Sequence, residues 1–290
     1  MTPEDRYRLL HLVGYGGTAF VWKAVDTETG GTVAVKWARL DFDEEHARRR
    51  FEAEAAVLGD INHPNVPKVF ETFDRRGRPA MSMECIEGRL LASIVESPGA
   101  LDVPAVAGIG SDVARALEAT HHTGRLHLSV KPGNIMVTEH GRAVLLDFNQ
   151  SSPIGEVADN PDEGLFCDFW EVAPERVEFE PLEEPADVYS LGCTLFEALT
   201  GGPPFQDRKV YDLLIERLWR DPPDLSEIRP DLPAGLVSLV HRTLDRKPEC
   251  RPTLGEIVDI LQPLAASDGQ ACEPVTSAEI PRATAPINVT

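Results

Sequence analysis

Val13-Gly14-Tyr15-Gly16-Gly17-Thr18-Ala19-Phe20-Val21, followed shortly by Val33-Ala34-Val35-Lys36, is the stretch on which the reading of this chain turns. Runs rich in Val, Phe and Trp flank the glycines on both sides, so the cluster reads as a hairpin between two strands and not as a strand-to-helix dinucleotide turn. Glycines there let backbone N–H groups come close to phosphates. On its own such a loop is more often just a flexible hairpin. In the next strand the two-residue alternation sends Lys36 to the face opposite Val33 and Val35. A lysine on an apolar strand ordinarily carries its ammonium to solvent along its stem. Here the following helix, Glu44 to Gly59, has Phe51, Ala55 and Leu58 at helical spacing. It places Glu54 one turn from Leu58, where an ion-pair partner for Lys36 would sit.

Working outward, short strands are predicted at Leu9 to Tyr15, Ala19 to Asp26, Thr32 to Ala38, Lys68 to Asp74 and Pro79 to Glu84, with a break at His63-Pro64-Asn65. After Gly88 the period becomes helical: Val106, Ile109, Val113 and Leu117 form one stripe, and Val188, Leu191, Leu195 and Leu199 another. The implied class is α+β, a two-lobed architecture. Residues 1–87 form a small β-rich lobe with one helix and residues 88–264 a larger helical lobe. From Ala265 the apolar period stops and Ala, Pro, Ser and Thr dominate, so residues 265–290 are expected to be a disordered tail.

At 290 residues and 42% apolar content the chain can bury a real core without staples. Its five cysteines are scattered, with no C-x-x-C pair, which points to free, buried thiols in a reducing cytoplasm and away from a zinc site. No run reaches the roughly 18 to 20 apolar residues that span a bilayer. Residues 1–87 hold 12 Lys+Arg against 15 Asp+Glu and the remainder 16 against 33, so the formal charge of -20 lies almost wholly in the second part. Phosphate repulsion makes nucleic acid an unsuitable partner for that surface. A solvated acidic face accounts for it, and a basic protein partner is the sharper alternative.

Further markers then follow in order. Met83-Glu84-Cys85-Ile86-Glu87-Gly88 ends a strand; Leu126-His127-Leu128-Ser129-Val130-Lys131-Pro132-Gly133-Asn134-Ile135-Met136 and Leu146-Asp147-Phe148-Asn149 come next; Ala173-Pro174-Glu175, Asp187-Val188-Tyr189-Ser190-Leu191-Gly192 and Arg251-Pro252 complete the set. Together they resemble the bacterial-type Ser/Thr protein kinase family over residues 10–262. The resemblance implies a two-lobed kinase fold that binds ATP and Mg2+. Gly14, Gly16 and Gly17 would cover the phosphates. Lys36, oriented by Glu54, would hold them, and Asn134 and Asp147 would ligate the metal. Val21, Ala34 and Met136 would sandwich adenine, with Glu84 and Cys85 as the hinge along its edge. Leu58, His127 and Phe148 match the stack that ties the lobes together, although in any such fold they are also simply core. Asp187 would brace the catalytic loop and Arg251 would pair with Glu175.

The pattern breaks at one device. The family's catalytic aspartate, which orients the substrate hydroxyl, is Ser129 here, and the arginine before it is Leu128. A serine hydroxyl is no base at neutral pH, and such a group typically contributes ~10² to 10⁴ in rate. Between Phe148 and Pro174 there is no threonine, lysine or arginine. That segment carries Glu156, Asp159, Asp162, Glu163, Asp168 and Glu171, with Asp168 where the family has a threonine. Lys131 of the catalytic loop is retained. The third glycine of the hairpin is Ala19, and Asn149 replaces the glycine after Asp147-Phe148; asparagine tolerates positive φ, so the turn is expected to survive. The expectation is therefore an ATP- and Mg2+-binding pseudokinase with a regulatory or scaffolding role. Its rivals are a weakly active Ser/Thr kinase and a protein-interaction scaffold with no nucleotide.

Overall fold

The structure, a computed structural model, describes residues 3–40, 44–96, 100–157, 171–206 and 210–266. Most of the expected tail lies outside these residues, as do Asp159, Asp162, Glu163 and Asp168 of the acidic segment.

The first lobe is a five-stranded antiparallel sheet in the order β1-β2-β3-β5-β4. Its strands are β1 (Tyr7–Tyr15), β2 (Ala19–Asp26), β3 (Thr32–Ala38), β4 (Val69–Arg75) and β5 (Arg78–Glu84). A four-residue helical turn, α1 (Pro3–Arg6), precedes the sheet. This turn was not expected, since four residues are too few to show a helical period. Helix α2 (Glu44–Asp60) packs on the sheet through Phe51, Ala55, Val57 and Leu58. The alternation in β3 serves two buried faces. Val33 and Val35 join Tyr7 and Ala24 in a small outer cluster, while Ala34 and Lys36 lie on the inner face, both buried.

The second lobe is helical: α3 (Leu91–Glu96), α4 (Val103–His121), α5 (Pro174–Val177), α6 (Pro185–Thr200), α7 (Val210–Trp219), α8 (Leu225–Ile228), α9 (Ala234–Thr243) and α10 (Leu254–Ala265). Both predicted stripes are buried, Val106, Ile109, Val113 and Leu117 on α4 and Val188, Leu191, Leu195 and Leu199 on α6. Helix α4 starts at an N-cap, Asp102, whose carboxylate accepts from the Ala105 N–H at 2.9 Å. Helix α10 begins with a capping box between Thr253 and Glu256 and lies against α4. Short strands that sequence periodicity did not reveal lie between them: β6 (Arg89–Leu90), β8 (Ile135–Val137) and β9 (Ala143–Leu145) form one sheet, and β7 (Arg125–Leu126) pairs with β10 (Ser152–Pro153). Two- and three-residue strands carry too few residues to show alternation.

A single apolar cluster runs from Phe51, Leu58 and Met81 of the first lobe to Leu117, Phe148 and Leu191 of the second, so the core is continuous across the lobes. The cysteines depart from expectation. Of the three described, Cys193 is buried, Cys85 is half-buried and Cys250 is exposed, because the single turn Pro248–Cys250 buries none of its residues. No described helix is long and apolar enough to cross a membrane.

Candidate active site

Four segments converge between the lobes. The glycine hairpin is closed by the Gly16 N–H donating to the Ala19 carbonyl at 3.0 Å. A Cβ at Gly16 or Gly17 would meet nothing within 4 Å, so packing within the protein does not demand glycine there. What glycine does is keep the backbone uncovered. A Cβ at Gly14 would come within ordinary contact of Val21 across the hairpin, at 3.9 Å. Next to the hairpin, β3 brings in Lys36, whose Nζ donates to Glu54 Oε1 at 2.5 Å and to Asp147 Oδ1 at 3.0 Å. The Lys36 and Glu54 side chains are 7% and 3% exposed and that of Asp147 is 35% exposed.

Burial works against the Lys36 ammonium, but Glu54 and Asp147 together outweigh it and hold its pKa above the ordinary lysine value. For Asp147 burial acts to raise the pKa, and Lys36, with a smaller contribution from Lys131, more than reverses it, so the carboxylate stays ionised. Glu54 goes the other way: burial and the Asp147 charge raise it, against the pull of Lys36. Lys36 thus links a carboxylate in the core to one that faces the cleft.

The catalytic-loop stretch is shaped by its backbone. Asp187, fully buried, accepts from the His127 N–H at 2.8 Å, the Leu128 N–H at 2.7 Å and His121 Nε2 at 2.8 Å. Leu128 sits in the left-handed region at φ 59°, and its carbonyl accepts from Arg176 Nη1 at 3.0 Å. His127 Nδ1 accepts from the Ser129 N–H at 3.2 Å and its Nε2–H donates to the Leu146 carbonyl at 3.1 Å. Burial keeps this imidazole neutral. Its ring meets Phe148 edge-on, centroids 4.5 Å apart, with Phe148 itself 1% exposed. Asn134 Nδ2 donates to both the carbonyl and the hydroxyl of Ser129, each at 2.9 Å. The Asn134 backbone carbonyl accepts from the Leu146 N–H at 2.7 Å, which sets Asn134 beside the segment carrying Asp147.

Asn149 departs from expectation. The left-handed residue of this turn is Asp147, at φ 63°, and Asn149 has no positive φ. The tolerance of asparagine for that region is therefore not what places it. Its Nδ2 donates to Asp147 Oδ2 at 3.1 Å and to Thr18 Oγ1 at 3.3 Å.

At the other end of the cleft, Val21 and Ala34 lie on neighbouring strands, and Met136 lies on β8. The Glu84 N–H donates to the Lys68 carbonyl at 2.8 Å and its carboxylate accepts from Arg142 at 3.2 Å, so both groups are already engaged. Burial raises the pKa of the half-buried Cys85 beside it. Gly88 is sterically required: a Cβ there would lie 2.3 Å from the Val137 carbonyl oxygen.

Arg251 holds Glu175 with two bonds, Nη1 to Oε1 at 2.6 Å and Nη2 to Oε2 at 2.8 Å, both side chains buried. Two residues were not singled out from sequence. Arg217 on α7 is fully buried, donates to the Val172 carbonyl and stacks on Phe205. Glu171 is pushed up to about 7 by burial and by Glu197, against Arg217 and Lys131. Lys131 therefore acts electrostatically on both Asp147 and Glu171. A polar residue on the buried side of a helix breaks the periodic pattern, which is why Arg217 escaped. Nothing local distinguishes Glu171 from its acidic neighbours.

The donor set suits a hard divalent cation: a carboxylate open to the cleft at Asp147 and an amide whose nitrogen is engaged at Asn134, leaving its oxygen to coordinate. Among the described residues no group of three or more His, Cys, Asp or Glu could hold a metal ion.

Comparison with known proteins agrees with this arrangement. The protein kinase domain family matches residues 7–261. The serine/threonine-protein kinase PknH of Mycobacterium bovis is 33% identical over 252 residues, 84% of this chain and 41% of the relative. PknA of Mycobacterium tuberculosis is 32% identical over 258 residues, 87% of this chain and 59% of the relative. The probable serine/threonine-protein kinase PknB of Corynebacterium glutamicum is 32% identical over 235 residues, 79% of this chain and 36% of the relative. The chain belongs to the protein kinase family, in its bacterial Ser/Thr-type branch. It spans less than two thirds of the length of each of these relatives.

Proposed function

We propose that this kinase domain binds ATP with Mg2+ and works as a nucleotide-dependent regulator whose own phosphotransfer is strongly impaired. The observation that carries the reading is an assembled Lys36, Glu54 and Asp147 set beside a Ser129 hydroxyl that accepts from Asn134. In it, Lys36 holds the phosphates under the hairpin of Gly14, Gly16 and Gly17, and Asp147 and Asn134 hold the metal. Bound Mg2+ would neutralise charge on the phosphate oxygens. Val21, Ala34 and Met136 enclose the base, whose edge meets the backbone of Glu84 and Cys85. Since the Glu84 N–H is engaged, its carbonyl and the backbone beyond it take that role. Lys131 remains as a cation near the transferred group, but no carboxylate at position 129 orients an incoming hydroxyl.

Residues 1–87 and 88–264 serve as the two lobes, a division supported by the end of β5 at Glu84 and the close packing of Gly88. Because ATP is the ligand, the cytoplasm is the site of action, and the acidic second lobe favours a basic protein partner over nucleic acid. A second reading, slow Ser/Thr phosphotransfer, is favoured by the same assembled set, because phosphoryl transfer rests largely on positioning and charge neutralisation.

The test is thermal shift with ATP and Mg2+, run beside transfer of labelled phosphate to generic protein substrates. ATP at 100 times its Kd adds ~2.7 kcal/mol of stability. Wild type should shift, Lys36→Met and Asp147→Asn should shift less, and transfer should be near background. Absence of any shift at millimolar ATP favours the nucleotide-free scaffold. Robust transfer abolished by Lys36→Met replaces the regulator with an enzyme.

A further inference from the structure

Both oxygens of the Asp147 carboxylate are engaged by the protein's own donors. Lys36 Nζ reaches Oδ1 at 3.0 Å, and the Asn149 amide reaches Oδ2 at 3.1 Å. The same amide nitrogen donates to the Thr18 hydroxyl at 3.3 Å, on the descending side of the glycine hairpin. Asn149 is held in turn: its carbonyl accepts from Arg50 of α2 at 3.3 Å. The hairpin is also tied from its far side, where Arg39 donates through its N–H to the Thr18 carbonyl at 2.8 Å and through Nη1 to the Gly16 carbonyl at 2.9 Å. A glycine at position 149 could make neither of the Asn149 side-chain contacts. They come from the side chain alone, and the turn itself does not require it.

We propose that Asn149 is a positioning residue: a latch that fastens the glycine hairpin to Asp147 and competes with a divalent cation for the Asp147 Oδ2 atom. The metal half of this proposal rests on the nucleotide reading above; the latch half does not. With the latch closed, a cation approaching Asp147 meets an N–H donor where it needs an oxygen lone pair. To coordinate Oδ2 it must turn the amide away, breaking the Asp147 and Thr18 bonds together. Displacing the pair of hydrogen bonds weakens cation recruitment about tenfold. The hairpin, in turn, stays down with no ligand present, so that nucleotide affinity depends less on Mg2+ than it does once the amide is removed.

Two measurements on the full chain test this. The first is hydrogen exchange of the amides of residues 14 to 20 without nucleotide, comparing wild type with Asn149→Gly and Thr18→Val. Both variants should exchange faster in the hairpin, by several fold, with the distant helix α4 unchanged. The second is the Mg2+ concentration that gives half the thermal shift at fixed ATP, with EDTA as the zero point. It should fall about tenfold in Asn149→Gly and about threefold in Thr18→Val, which removes one of the two bonds and keeps the one to Asp147. Unchanged hairpin exchange in both variants overturns the latch. An Mg2+ midpoint that stays put or rises in Asn149→Gly overturns the competition, and a rise would make Asn149 a metal ligand through its oxygen. If no protein responds to ATP, the nucleotide reading and the metal half fall together, while hydrogen exchange still decides the latch.

Discussion

Replacing Glu54 alone should be far more damaging than replacing Glu54 and Lys36 together. The two side chains form a 2.5 Å pair that is 3% and 7% exposed, below β3 and against an apolar cluster that includes Phe51, Leu58 and Met81. In Glu54→Leu the Lys36 ammonium stays buried with one carboxylate, that of Asp147 at 3.0 Å. Breaking a buried pair from one side costs ~3–5 kcal/mol. Asp147 retains part of the compensation, so the expectation is ~3 kcal/mol, or about 6–12 °C in melting temperature for a chain of this size. The double variant Lys36→Met with Glu54→Leu replaces both ions by apolar groups of similar volume. That exchange is often neutral or stabilising by ~1–4 kcal/mol. Asp147 then loses its ammonium, but its carboxylate is 35% exposed and water can serve it. The double should therefore lie within ~1 kcal/mol of wild type, with a coupling in the cycle of at least ~2 kcal/mol, larger by whatever Lys36→Met costs alone. Urea titration without nucleotide measures all four proteins, and an ATP thermal shift run in parallel should vanish in the double. A double variant as unstable as Glu54→Leu would refute the reasoning, because the pair would then be a stabilising feature and no sign of a phosphate site.

Glu171 should make stability fall as pH rises. Its pKa in the fold, about 7, exceeds the ordinary value of 4.5, so the folded chain binds more protons between them and loses that advantage as pH climbs through the interval. Glu171→Gln should flatten this slope and stabilise the chain at pH 8 by ~3 kcal/mol at most; an unchanged slope contradicts it. Glu175→Gln strips the buried Arg251 of its charge partner and should cost ~3–5 kcal/mol in urea titration; a cost below ~1 kcal/mol would mean the backbone carbonyls around Arg251 suffice. Ser129→Asp should recover part of the phosphotransfer, since the Asn134 amide that now bonds the serine can donate to a carboxylate at the same position. No gain over wild type in labelled-phosphate transfer would place the main defect elsewhere.

Much of this was legible where a local period or a charged residue stood against it. Predicted strands Ala19 to Asp26 and Thr32 to Ala38 match β2 and β3 residue for residue, because both are rich in valine and aromatic residues and are bounded by glycine and polar turns. The helix carrying Glu54 ends one residue beyond its predicted limit, at Asp60. Lys36 drew attention as a charge on an apolar strand, and Glu54 as a carboxylate near an apolar stripe; the fold joins them across 18 residues of sequence. What sequence withheld depends on contacts between distant segments. The left-handed φ falls on Asp147 and not on Asn149, and Asn149 reaches Thr18 from 131 residues away. The raised pKa of Glu171 follows from its burial in the fold and from Glu197, which lies on α6.

The two halves of the cleft carry different weight as signs of function. The catalytic-loop stretch keeps its shape through backbone groups: Asp187 holds the His127 and Leu128 N–H groups, Arg176 holds the Leu128 carbonyl, and Asn134 holds the Ser129 carbonyl. None of these contacts uses the side chain at position 128 or 129. The loop can therefore lose an aspartate and an arginine and still look ready, and its geometry says little about whether phosphate is transferred. The Lys36 and Glu54 pair is the opposite case. It buries two charges whose desolvation an apolar pair would avoid, and it directs the ammonium toward a carboxylate that opens on the cleft. A fold that served only as a scaffold would gain nothing from that arrangement. The asymmetry, a costly buried ion pair beside a loop that is shaped by backbone contacts, is the ground on which nucleotide binding is proposed ahead of catalysis.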